Sequence, residues 1–240
     1  MKLILILFLS FVTSITQAQL LDVFASKKVT SIPDSANYYS FASGDVISIP
    51  HSTQTELATS DFSIEIICTI TNQPAIVSLY DKTDTGDDGA RIYVVSGKVW
   101  GSVNAVDVKG TLTVYDGLVK HIVFTADRDG WGRVYVNGIQ DGSTVSISSS
   151  GVMSTTVATK IGNSTPSNYP MVGSMRLFRI YPKALSPAEV TTLYNGGTVD
   201  GAIVDLNGDN SHVTATTWFD ATANHNDGTV TGATKVEALK

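Results

Sequence analysis

A chain of 240 residues that is 42% hydrophobic and 16% charged has apolar material for one large β domain or two small ones, and is too uncharged to be disordered. Its formal charge of −6, with no basic stripe, argues against nucleic acid as a partner. Only four glutamates and many β-branched residues point to sheet rather than helix.

At the N-terminus Lys2 precedes an apolar run from Leu3 to Val12, followed by Thr16-Gln17-Ala18. A short positive region, an apolar core of this length and a small-x-small site predict a signal peptide over 1–18, cleaved after Ala18. The implied location is secreted, periplasmic or at a surface. The run is short for a bilayer and no second one follows, so no membrane span is expected after cleavage. Residues 19–37 read as a leader without clear period.

From Tyr38 short β-type runs alternate with turns. Strands are expected at Tyr39–Phe41, Val46–Ile49 (stopped by Pro50), Phe62–Ile70 and Ala75–Tyr80, with an acidic loop over Asp81–Gly89. Phe62, Ile64, Ile66, Cys68 and Ile70 share one parity and hence one buried face, so Cys68, the only cysteine, reads as a core residue rather than a nucleophile. Arg91–Val95 and Lys98–Val103 flank a Ser96-Gly97 turn, and Thr111–Tyr115 follows. His121–Ala126 and Arg133–Val136 lead to Asn137-Gly138, the strongest short hairpin signal in the chain. Val157–Ile161 and Met171–Tyr181 are further strands. Ser186-Pro187-Ala188-Glu189 is a capping box with proline at the first helical position, and Asn195-Gly196-Gly197 ends a helix of about two turns. Residues 198–240 read as C-terminal strands, completing the domain or appended to it. The spacing means an all-β sandwich or barrel.

The series Ser43-Gly44-Asp45-Val46, Asp61-Phe62-Ser63-Ile64-Glu65, His121–Thr125, Val134-Tyr135-Val136-Asn137-Gly138, Gly173–Tyr181, Ala184–Val190 and Leu193–Gly197 resembles the laminin-G-like branch of the concanavalin A-like lectin/glucanase superfamily over residues 38–197. Asp220–Ala233 is similar to a stretch that often opens the domain in relatives, which suggests a permuted or shared first strand here. The resemblance implies a jelly-roll sandwich of two antiparallel sheets with one short helix. It also implies roles ranging from carbohydrate binding to adhesion and glucan hydrolysis, among which fold alone does not choose.

The glucanase branch carries Glu-x-Asp-x-x-Glu on one strand, and a retaining mechanism needs paired carboxyls. Glu56, Glu65, Glu189 and Glu237 are isolated from one another, so no enzyme of that type is expected. His51, His121, His212 and His225 lack zinc spacing, and His121 reads as structural. Oxygen-rich turns suit calcium: Asp45, Asp205, Asn207 and Asp209 are the candidate ligands of a structural Ca²⁺, and Asp84, Asp87 and Asp88 form a second acidic cluster, although such turns are more often only turns. No other cofactor is expected. The candidate ligand-binding residues are Trp131, between two glycines in a hairpin loop, with Trp100, Tyr80, Arg91 and Tyr93 around the acidic loop. Trp100 and Tyr93 read equally well as core. The leading expectation is a non-catalytic lectin-like module that binds a neutral or cationic glycan. The alternative is a protein-interaction or virion-surface adhesion module with an extracellular protein partner.

Overall fold

The computed structural model describes residues 37–71, 74–84, 88–153, 156–164, 167–209 and 212–237. The signal-peptide segment and nearly all of the leader lie outside these residues, as does Asp87. Among the described residues there are sixteen strands and a single α-helix. No described helix is long and apolar enough to cross a membrane.

The strands form two eight-stranded antiparallel sheets. The first runs in the order β10 (Ile139–Ser146), β9 (Trp131–Val136), β8 (Lys120–Ala126), β3 (Phe62–Ile70), β12 (Gly173–Tyr181), β1 (Tyr38–Phe41) and β16 (Thr234–Val236). The far half of β12 pairs instead with β13 (Val204–Asn207). The second sheet runs β14 (Thr217–Trp218), β15 (Gly228–Thr231), β2 (Val46–Ile49), β11 (Thr159–Ile161), β4 (Ile76–Thr83), β5 (Gly89–Val95), β6 (Lys98–Val103) and β7 (Val106–Thr113). The inner faces enclose one core that includes Phe62, Ile64, Ile66, Cys68, Ile70, Ile92, Val94 and Phe124. Burial pushes the Cys68 thiol up to about 12, as the parity of β3 predicts for a small core residue.

Residues 198–237 supply four strands to these sheets. Trp218 is fully buried, stacks on Tyr39 of β1 with ring centroids 5.2 Å apart, and donates its Nε1–H to the Asn207 carbonyl. Asp220 organises the segment by accepting from the Asp205, Thr222 and Asn226 backbone N–H groups and from the Thr222 hydroxyl. The Asp220–Ala233 stretch thus places β15 against β2.

Two expectations change. β4 continues through Asp81-Lys82-Thr83, which pair with Arg91, Ala90 and Gly89, so the acidic loop begins at Asp84. Its polar residues fit a strand because Lys82 reaches the Val157 carbonyl and the Asp81 carboxylate accepts from Thr83. The strand expected at Thr111–Tyr115 instead starts at Val106, after a tight turn at Asn104-Ala105 with φ of 45° and 63°.

α1 (Pro187–Tyr194) has the anticipated capping box: the Ser186 hydroxyl accepts from Glu189 N–H, and the Glu189 carboxylate accepts from Ser186 N–H. Those bonds, with the Lys183 ammonium, hold the Glu189 carboxyl down at about 2. Val190 and Leu193 pack on Val123, Tyr135 and Tyr181, so α1 covers the outer face of the first sheet.

Candidate functional site

α1 lies over part of the outer face of the first sheet, and four of the predicted residues, Tyr80, Arg91, Tyr93 and Trp100, lie on β4, β5 and β6 of the second. On β5, Ile92 and Val94 point into the core, so Arg91 and Tyr93 point outward. On β6, Val99 and Val103 are buried, and Trp100 faces outward. On β7, Asp107 and Lys109 alternate with Val106 and Val108 and do the same. The register aligns Tyr93, Trp100 and Lys109 in one row across three strands, with Arg91, Ser102 and Asp107 in the next.

Side-chain contacts bind these rows into one patch. The Tyr93 and Trp100 rings meet edge-to-face with centroids 5.8 Å apart. The Arg91 guanidinium lies 4.9 Å over Tyr93, and the Lys109 ammonium 4.1 Å over Trp100. The Tyr93 hydroxyl donates to Asp107 Oδ1 at 2.7 Å. Burial and that carboxylate raise the phenol well above its usual range, so Tyr93 keeps its proton. Two half-buried rings set edge to face, each with a cation over it and with one carboxylate beside them, place aromatic and hydrogen-bonding groups side by side on this face.

The other predicted residues fall elsewhere. Tyr80 belongs to the core, fully buried against Phe178 at 5.7 Å. The bulge between Ser78 and Tyr80 shifts the parity of β4, so Tyr80 pairs with inward-facing Ile92. It lines a small cavity of about 10 Å³, room for about one water, with Leu57, Lys82, Gly89, Ala90 and Met153. Trp131 is exposed at 47%, but it opens β9 in the first sheet opposite Ser146, apart from the Trp100 patch.

The candidate calcium ligands fall in two places. The Asp45 carboxylate accepts from Ala42 N–H in the turn before β2. Asp205 on β13 accepts from Arg179 Nε at 2.8 Å and from the Asn207 amide, while Asn207 Oδ1 accepts from Asp209 N–H. Among the described residues no three His, Cys, Asp or Glu side chains converge on a metal-sized site. Of the expected set, Asp205, Asn207 and Asp209 are thus linked to one another at and beyond β13, whereas Asp45 lies apart in the turn before β2.

Glu65 is also accounted for. Fully buried, it accepts from His121 Nε2 at 3.0 Å and the Tyr181 hydroxyl at 3.1 Å, with Arg179 Nη1 at 3.4 Å. Burial acts to raise its pKa, but His121, Arg179 and Tyr181 outweigh it and hold the carboxyl below its usual range. This network cross-links β3, β8 and β12 and, through the Arg179–Asp205 pair, β13, and within it the Glu65 carboxylate is shut off from solvent.

Sequence reading missed Asp107 and Lys109. The alternation Val106-Asp107-Val108-Lys109 was available as a signal. The turn before it, Asn104-Ala105, contains no glycine; Asn104 tolerates positive φ and anchors itself by accepting from Gly89 N–H and donating to the Ser150 and Val152 carbonyls.

The sequence profile of the laminin-G-type family in the concanavalin A-like lectin/glucanases superfamily matches residues 41–191. The chain belongs to that superfamily. A search of curated proteins finds no match to the sequence. Among solved structures, the chain is similar to a Bacteroides ovatus protein provisionally described as carbohydrate-binding, at a TM-score of 0.69 and 17% identity, covering 85% of this chain and 60% of that one. It is also similar to the heptameric SAP-like pentraxin of Limulus polyphemus, at 0.64 and 15%, covering 86% and 97%. A third likeness, at 0.53 and 15%, is to the ligand-binding domain of botulinum neurotoxin serotype D in complex with N-acetylneuraminic acid, covering 67% and 42%. The chain thus spans under two thirds of the first and third of these proteins. At such identities the likenesses establish the fold.

Proposed function

We propose that this protein is a non-catalytic carbohydrate-binding module of an exported protein, and that it binds its glycan on the outer face of β5–β7. The observation that carries the reading is the Arg91–Tyr93–Trp100–Lys109 stack with Asp107. Pyranose rings pack C–H groups on aromatic rings and direct hydroxyls to flanking charged groups, and this patch sets partly exposed rings beside such groups. The names of the B. ovatus and neurotoxin structures support a binding role on this fold, and the full burial of Glu65 in bonds to His121, Tyr181 and Arg179 gives that carboxylate a structural role.

The test is calorimetric titration over a panel of neutral and acidic oligosaccharides. Affinities in the millimolar to micromolar range are expected, because sugar hydroxyls exchange bonds with water for bonds with protein at small net gain. Trp100→Ala is expected to weaken binding about tenfold or more, and Trp131→Ala to leave it within about twofold. The reverse ranking, with a protein captured through Trp131, would favour adhesion. That second reading has its own observation, an exposed tryptophan of the type that anchors protein interfaces. Export is tested by the N-terminus of the mature protein, expected at Gln19; Met1 there would refute it.

A further inference from the structure

We infer that the glycan bound by this face is anionic, carrying its charge at the Lys98–Trp100–Lys109 end; the inference rests on the carbohydrate-binding reading above. The protein carries −6 overall, yet the charges are sorted by position. The outer face of the second sheet bears Arg91, Lys98, Lys109 and Lys160, opposed by the carboxylates of Asp81 and Asp107. Asp81 is 7% exposed and accepts both the Thr83 N–H and hydroxyl, so it offers little charge to a ligand. Asp107 accepts from the Tyr93 hydroxyl and lies 4.0 Å from Lys109.

The remaining acids near these strands are at the far end or already paired. Asp84 and Asp88 sit at the β4–β5 loop, at one end of β5, while Asp116, just past the β7 end that pairs with Lys98, is held by the Lys120 ammonium. Lys98 follows the Ser96-Gly97 turn at the other end, on the same face of β6 as Trp100. Lys109 stands beside Trp100 in register, with its side chain 55% exposed and its ammonium over the indole. A sugar stacked on the Trp100 edge therefore meets two ammonium groups. An acidic sugar satisfies them with charge-assisted hydrogen bonds, whereas a neutral sugar displaces their water without replacing the charge interaction. This replaces the neutral or cationic ligand expected from the sequence, where net acidity hides the local sign.

The experiment compares ligands that differ in charge alone, titrated into the mature full chain: oligogalacturonate against its methyl ester, and dextran sulfate oligomers against dextran oligomers. The first pair tests carboxylate and the second sulfate as the source of the charge. The charged member of at least one pair is expected to bind about tenfold more tightly. That preference should shrink to about twofold in the Lys98→Gln/Lys109→Gln protein and fall as salt is raised from 0.05 to about 0.5 M. Both lysines are exposed, so the double variant should melt as the parent does. Equal binding of charged and uncharged members, still lost in Trp100→Ala, would overturn the anionic ligand and leave carbohydrate binding standing. Failure of every glycan would overturn both.

Discussion

Glu65 stays ionised inside the sandwich because three partners converge on it, and that has a consequence in acid. Its folded pKa lies below that of the unfolded chain, about 4.3, so its contribution to stability is complete above that value. As pH falls, the unfolded state takes up the proton first, and stability falls toward the depressed native pKa. The wild-type melting temperature should therefore drop below about pH 4.5, and Glu65→Gln, although destabilised by about 1–3 kcal/mol through weakened bonds to buried His121 and Tyr181, should lose less on acidification. Parallel acid limbs in thermal melts of the two proteins would contradict this role. Trp100 makes the opposite kind of claim. Half-buried on an outer face, it should cost well under the 3–5 kcal/mol of a core tryptophan when truncated, so thermal stability and affinity separate in Trp100→Ala.

At the level of elements, the turn at Asn137-Gly138 has φ of 52° and 78°, the two positive values of a type I′ hairpin. A Cβ on Gly138 would also lie 2.7 Å from the Tyr194 ring of α1. Gly138→Val should therefore destabilise by about 1–3 kcal/mol or more and loosen the helix; an unchanged denaturation midpoint would show that the hairpin relaxes at no cost. This turn, the alternation of β3 and the capping box of α1 were legible in the sequence because each depends on residues near one another in the chain. Arg91, Tyr93 and Trp100 could be picked out as candidates by their chemistry. What brought them together was not: the bulge that turns Tyr80 inward, the glycine-free turn that starts β7 at Val106, and the register that sets Lys109 beside Trp100 are products of strand pairing. Likewise Asp45 and Asp205 resemble calcium ligands locally, and only the fold sends them to different sheets.

For the whole molecule, the two sheets close only with the C-terminal segment: β13 and β16 complete the first, β14 and β15 the second, and Trp218 seals one end of the core. A chain ending at Gly197 should fail to give a cooperative thermal transition; a normal one would show the segment to be an appendage. The same closure leaves one sheet roofed by α1 and the other presenting its aromatic and cationic rows. The most direct test of glycan recognition there is amide and side-chain chemical-shift mapping while the tightest-binding oligosaccharide is titrated in. The account predicts saturable shifts concentrated on Arg91, Tyr93, Trp100, Asp107 and Lys109, with the Trp131 indole unmoved. Shifts centred on Trp131 and α1, or none on β5–β7, would contradict it.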